Sequence, residues 1–412
     1  MKLKLIFLFL VFSLISKAQV ANAPCNQYSP WVSSTYTMSV ISETRNTLFG
    51  PQDKWDNKSN LTDSNTSNVA SYSTFAVGSA YIEARNASNT QFPAGSYAGF
   101  VIDDLDLLTI GASMKVETYL GTTRQDEITY SNFIGTILDG GKRKIGLVAT
   151  KPFNRIRLTV NTGLNLGVTV NAYYAEVLKP CAGTALACNT NTPVTRPNFG
   201  AIVETSRTGL SGLSIGLVAN QDNVTNTSTN DSATLSVNAG VFGSAKLSVR
   251  DLGETFTAGT FAGFDIQNIN LLSLSLFSNI TINTYLDGNP KPVETRTGSA
   301  LFLSLPVLDI QNRSVVGFTA TKSFDEIQIV INQPAGLSFG ATNVFSAVVK
   351  KPCEGAAFEC NASTYMTEAN YPVSINPSRT GLSGVASAAS AVTNPNSILD
   401  NSTGNCASIT LP

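Results

Sequence analysis

Apolar and polar residues alternate with a period of two along much of this chain. Arg155-Ile156-Arg157-Leu158-Thr159-Val160 switches at every step, and Glu326-Ile327-Gln328-Ile329-Val330-Ile331 does so over most of its length. Such alternation sends apolar side chains to one face of a half-buried strand. Residues 115–120, 144–150 and 271–276 add β-branched and apolar runs that read as further strands. Turn formers separate them: Asp139-Gly140-Gly141, Asp287-Gly288-Asn289-Pro290 and Pro334-Ala335-Gly336. No segment carries a sustained helical stripe with caps. Many short strands punctuated by Gly, Asn and Pro predict an all-β fold of antiparallel sandwiches.

The pattern also repeats. Lys179-Pro180-Cys181 returns as Lys351-Pro352-Cys353, and the seven residues from Ser206 to Gly212 return identically from Ser378 to Gly384, both 172 positions later. A more divergent copy lies upstream: Phe92 to Phe100 matches Phe256 to Phe264, and Gly146 to Phe153 matches Gly317 to Phe324. Self-similarity at a fixed period sets the architecture. One sandwich is expected at 24–181, a second at 188–353, and the start of a third at 360–412. Without the remaining strands this third unit cannot close a core, so the chain is expected to be a piece of a longer protein or one with an abnormal end. Each complete unit exceeds the ~100 residues of an immunoglobulin domain, and a jelly roll fits the length better.

Composition then narrows the compartment and the chemistry. Lys2 and Lys4 precede an apolar run from Leu5 to Ile15, which ends in Ser16-Lys17-Ala18-Gln19. That is the form of a secretory signal peptide over 1–18, too short for a bilayer span. Cleavage is expected after Ala18, with Ala23 as the second site. No later stretch reaches 18 uninterrupted apolar residues, so no membrane span is expected. Charged residues are only 13% and the net charge is −1, which gives no basic footprint for nucleic acid. The chain holds no histidine, so Ser-His-Asp and Cys-His catalysis and His-ligated zinc are excluded. Carboxylate-only chemistry survives, and a glycoside hydrolase is the distant third reading. Its pair would come from Glu127 and Glu294, which occupy matching strand positions, or from Asp139 and Asp309.

Six cysteines in an exported chain are expected to be oxidised. Local pairing would join Cys181 to Cys188 and Cys353 to Cys360, leaving Cys25 alone. Pairing across each unit would join Cys25 to Cys181 and Cys188 to Cys353, and only this scheme explains why the first unit opens with a cysteine. One polar loop recurs in all copies. Asp63, Thr66 and Asn68 align with Asn226, Thr229 and Asp231 and with Asp400, Thr403 and Asn405. These residues form either a structural turn, with side chains bonding the local backbone, or an oxygen-only calcium loop. No other cofactor is implied.

The layout resembles the galactose-binding-like (discoidin-type) jelly roll of carbohydrate-binding and adhesive modules. It is also similar to repeated β-sandwich units of large secreted surface proteins in Gram-negative gliding bacteria. The stretch Asn396 to Thr403 resembles that fold's early Asp-Gly-Asn-x-x-Thr loop, without its Gly after Asp400. The stretch Lys151 to Leu158 resembles its late strand. The resemblance implies a secreted or cell-surface protein, non-catalytic, acting in adhesion or carbohydrate binding, with an extracellular glycan or surface protein as partner. The alternative is a structural stalk or coat protein without a specific ligand. Tyr119 and Tyr285 read either as sugar-stacking rings or, more simply, as sheet packing.

Overall fold

The computed structural model describes residues 23–45, 55–74, 78–88, 90–103, 113–130, 136–138, 141–162, 168–212, 216–237, 243–267, 277–304, 313–334, 340–353 and scattered positions from 355 to 409. The fold is all-β, built as tandem antiparallel sandwiches, and the helical pieces among the described residues are short 3₁₀ turns. The predicted runs at 115–120, 155–160 and 326–331 fall inside Ser113–Leu120, Arg155–Thr162 and Glu326–Gln333, and that at 144–150 is a strand as far as Val148. Residues 271–276 lie outside the described residues.

The first sandwich has two layers. One sheet runs in the order Trp55–Asp56, Ala70–Thr74, Val168–Leu178, Tyr97–Asp103, Lys142–Val148, Thr136–Leu138, and Tyr28–Pro30 also pairs with Val168–Leu178. The other runs Met38–Arg45, Gly78–Asn86, Arg155–Thr162, Ser113–Leu120, Thr123–Tyr130. Between them lies an apolar core that includes Trp31, Phe92, Phe100, Phe153, Ile82 and Leu158. The second sandwich follows the same plan. Its sheets are Gly216–Ala219, Ala233–Val237, Thr342–Lys350, Phe261–Gln267, Arg313–Thr319, Phe302–Ser304, and Ala201–Val203, Gly243–Asp251, Glu326–Gln333, Ile280–Tyr285, Glu294–Thr297. Its core is separate from the first and includes Phe199, Phe256, Phe264, Phe318, Phe324 and Ile329. Isolated bridges pair Phe92 with Phe153 and Phe256 with Phe324, which places the repeated Phe positions in the two cores. Phe92 stacks on Phe153 with ring centroids 5.4 Å apart, and Phe256 meets Phe324 at 5.3 Å.

Each sandwich is closed by the same device. Cys25 is bonded to Cys181 and Cys188 to Cys353, tying the opening segment to the end of the last strand. Beside each bridge an asparagine in left-handed conformation, Asn26 (φ 57) or Asn189 (φ 55), turns the chain. Its Oδ1 accepts the N–H of the closing cysteine, at 2.8 Å from Cys181 and 3.1 Å from Cys353. Cys360 and Cys406 are free and exposed.

The outer face of the first seven-stranded sheet carries a third layer, the second sandwich. Gly99 and Gly146 sit directly opposite each other in neighbouring strands, and a Cβ on either would lie 2.5 Å from an atom of the Tyr97 side chain. Two missing side chains therefore let the Tyr97 ring lie flat on the sheet. Tyr97, Leu178, Tyr28 and Val148 pack there against Ile202 and Leu252 of the second sandwich. Around this patch the charges are paired across the junction. Lys144 Nζ lies 3.7 Å from Glu176 and 3.6 Å from Asp222, whose Oδ2 is 3.1 Å from Arg196. The Tyr28 ring takes both cations, with Lys144 Nζ 3.4 Å and Arg196 Cζ 4.4 Å from its centroid. Burial pushes the Glu176 carboxyl up. Burial also raises Asp222, but Lys144 and Arg196 outweigh it and hold that carboxyl below its usual range.

Two outcomes test this packing. Gly317 repeats the glycine device in the second sandwich, and a Cβ there would lie 2.1 Å from the Ala262 carbonyl oxygen and 2.6 Å from Gly263 Cα. Both are backbone atoms, so Gly317→Ala is expected to cost about 3 kcal/mol in urea unfolding followed by circular dichroism. The second outcome concerns Asp251, buried where the linker crosses. Its Oδ1 accepts from Gly253 N–H at 3.2 Å, and its Oδ2 has no partner among the described residues. Burial, with Glu254 and Asp325 nearby, pushes this carboxyl up to about 7. The folded state thus holds a proton that the unfolded chain has released, and stability falls as pH rises from about 4 to 7. Asp251→Asn is expected to remove that fall, a gain of up to ~4 kcal/mol at pH 8 and near zero at pH 4. Denaturant midpoints across this range check it.

Candidate functional site

The outward faces of the two five-strand paths differ, although their strands correspond. In the first sandwich this face is a closed ladder of charge. Glu83, fully buried, accepts from Arg85 Nε at 2.6 Å and from Arg157 Nε and Nη2 at 2.8 and 2.6 Å. The Arg157 guanidinium is held between the rings of Tyr81 and Tyr119, 4.0 and 4.5 Å from their centroids. Glu117 accepts from Tyr119 Oη at 3.2 Å and Thr159 Oγ1 at 3.1 Å and pairs with Lys115 at 3.1 Å. Charge-assisted bonds of this kind use up the polar groups that make them.

In the second sandwich part of the same face is open. The alternating pattern of Glu326–Gln333 would leave Glu326, Gln328 and Val330 in solvent, yet all three are buried. The segment from Ser206 to Ser211 lies over them. Arg207 donates to both carboxylate oxygens of Glu326, its guanidinium rests 4.7 Å from the Tyr285 ring, and Gln328 Nε2 donates to the Arg207 carbonyl at 2.6 Å. Ser248 Oγ also donates to Glu326. Tyr285 Oη and Asn283 Nδ2 donate to Gln328 Oε1 at 2.9 and 2.8 Å.

Below this network runs a groove of about 590 Å³, walled by the Ser206–Ser211 segment on one side and by Pro290 and Pro292 on the other. Its floor holds Ser244, Lys246, Thr281, Asn283, Val330 and Asn332. Strand register puts them in rows: Ser244 faces Asn332, and Lys246, Val330 and Thr281 lie side by side. Ser211 and Ser244 share a hydrogen bond at 2.6 Å, and Asn332 Nδ2 reaches Thr281 Oγ1 only at 3.4 Å. The half-buried Lys246 ammonium makes no hydrogen bond or ion pair among the described residues. The groove thus offers amides, hydroxyls and one uncommitted cation on a rigid sheet.

The residues singled out in the sequence lie elsewhere. Asp63 and Asn68 fold into a turn: Asp63 Oδ1 accepts Asn65 N–H at 2.9 Å, and its Oδ2 accepts Asn68 Nδ2 at 2.8 Å. Asn226 Oδ1 accepts Ser228 N–H at 2.8 Å, and its Nδ2 reaches Asp231 at 3.4 Å. These are the bonds of Asx turns, and they occupy both oxygens of the only carboxylate in the first loop. Thr66 and Thr229 belong to the same turns in sequence, whereas Asp400, Thr403 and Asn405 lie outside the described residues, as do Asp139 and Asp309. Among the described residues, no three acidic, His or Cys side chains converge as metal ligands. The carboxylate that matches Glu294 is Asp126, one residue before Glu127. Glu294 faces Thr284 and accepts Thr321 N–H at 2.8 Å, and Asp126 faces Thr118 and accepts Thr150 N–H at 3.1 Å. The two hairpins differ in length, with Asp126 eight positions after Thr118 and Glu294 ten after Thr284. The Tyr119 and Tyr285 rings each carry a guanidinium, so both pack within the sheet.

Sequence reasoning missed the groove residues, although a signal existed. Tyr81, Glu83 and Arg157 stand at the positions of Lys246, Ser248 and Gln328, as the register of the two central strand pairs shows. Reading outward positions copy against copy would have exposed the loss of the charge ladder.

No protein-family model and no curated protein matches the chain. Solved structures similar to it include the family 32 carbohydrate-binding module of Clostridium perfringens NanJ in complex with galactose (10% identity, TM-score 0.23, covering 37% of this chain and 98% of that one). Another is a fucolectin from striped bass (Morone saxatilis) serum, at 11% identity and TM-score 0.22, covering 77% of this chain and 96% of that one. A third is allantoicase from Saccharomyces cerevisiae, at 11% identity and TM-score 0.27, covering 78% and 92%.

Proposed function

We propose that this chain is an exported, non-catalytic glycan-binding protein of the cell surface that works in adhesion. The observation carrying this reading is the groove on the second sandwich, with Ser244, Lys246, Thr281, Asn283 and Asn332 on its floor. A sugar presents neighbouring hydroxyls that each donate and accept, and short amide and hydroxyl side chains on alternate strand positions suit that demand. The free Lys246 ammonium adds a charge-assisted donor, which favours a glycan bearing an acidic group. Disulfides across both sandwiches suit an oxidising, extracellular compartment. The signal-like leader read from residues 1–18 supports the same location. A rigid spacer is the second reading, favoured by the buried charge cluster that fixes one sandwich on the other.

A glycan array probed with the whole chain tests the first reading. Retention on acidic glycans is expected, with at least a tenfold loss in Lys246→Glu and a smaller loss in Asn332→Ala. Silence on every glycan would favour the spacer, and equal retention by Lys246→Glu would remove the groove as the site.

A further inference from the structure

The seat on which the second sandwich rests is built twice. In the first sandwich it consists of Tyr97 lying on the Gly99–Gly146 pair, flanked by Lys144 and Glu176. In the second, Phe261 lies on the Gly263–Gly317 pair, where a Cβ would come within 2.9 Å of its ring from either glycine. The register puts Val315 at the place of Lys144 and Val348 at the place of Glu176. Phe261, Val315 and Val348 form an apolar cluster of their own on the outer side of the sheet.

An outer face of a two-layer sandwich is wet unless something covers it. Tyr97, Lys144 and Glu176, beneath the second sandwich, are 7, 7 and 2% exposed, and Phe261, Val315 and Val348 are 7, 4 and 2% exposed. The second seat is therefore as dry as the first. The chain that follows repeats the local structure of the module that covers the first seat. Phe199 N–H bonds to Thr195 O at 3.0 Å, and Tyr371 N–H bonds to Thr367 O at 2.8 Å. Gly183 abuts Phe199, and Gly355 abuts Tyr371. Val218 pairs with Leu235, and Val392 pairs with Ile409 in the same hairpin, with a 3₁₀ turn at Pro395–Ile398 where the second sandwich has Gln221–Thr225.

We infer that the Phe261–Val315–Val348 face is the docking surface for the module opened by residues 360–412. Val315 and Val348 stand where the first seat has Lys144 and Glu176, and Asn396 stands in sequence at the position of Asp222, so charge is lost on both sides of this contact.

Thiol labelling of Val348→Cys tests this, in a chain carrying Cys360→Ser and Cys406→Ser. Deleting residues 356–412, which keeps both sandwiches and both disulfides, is expected to speed labelling at least 100-fold, while Val344→Cys on the core face stays protected. An unchanged rate at position 348, whether fast or slow, would overturn the inference. Should position 344 also open, the full chain decides by hydrogen exchange in Val348→Glu. At least tenfold faster exchange at Tyr371 N–H with Phe199 N–H unchanged supports the docking, and no change at Tyr371 overturns it.

Discussion

The final residues of the last strand of each sandwich are buried on both faces, and the rest of the molecule is arranged around satisfying them. Val168–Leu178 pairs with Tyr28–Pro30, Ala70–Thr74 and Tyr97–Asp103, so its backbone groups are spoken for along its length. Its inward side chains, among them Val170, Ala175 and Val177, fill the core. Its outward Glu176 has no solvent to face, and only Lys144 and the second sandwich make that tolerable. The disulfide and the asparagine turn anchor the strand's end, and the next module begins within a few residues of it. The short linker holds the second module close to the surface it covers.

Close approach is what the glycines provide. Without the Gly99–Gly146 pair, Tyr97 would stand up from the sheet and hold the second module away from Lys144 and Glu176. Once the ring is flat, Tyr28 can accept two cations at once, and the charge cluster closes over it. The junction is thus a packed layer rather than a hinge. Such a junction holds the outward faces of the two sandwiches at a fixed separation.

The contrast between the two outward sheet faces shows how one architecture holds different surfaces. Both copies need polar side chains at the same alternate positions, but the first ties them into a ladder around Glu83. The second moves its guanidinium, Arg207, onto a neighbouring segment that lies across the sheet. That one displacement buries Glu326 and Gln328 and leaves Lys246 and Asn332 lining a groove. The core is conserved in plan, and the chemistry changes outside it.

Alternation along Arg155–Thr162 made the strand and its inward face legible in the sequence, because a period of two has only one way to sit on a sheet. The fixed offset between the Lys-Pro-Cys and Ser-Arg-Thr-Gly matches pointed to a succession of units, and the missing histidine removed whole classes of chemistry. The identity of the outward faces was not legible in the same way. Whether Gln328 meets water, a guanidinium or a groove depends on a segment some 120 residues away in the chain. The matching of Asp126 rather than Glu127 to Glu294 depends on strand register across hairpins of unequal length, which spacing does not reveal. Local pattern fixes which side of a strand is apolar, and only the path of distant segments decides what the other side faces.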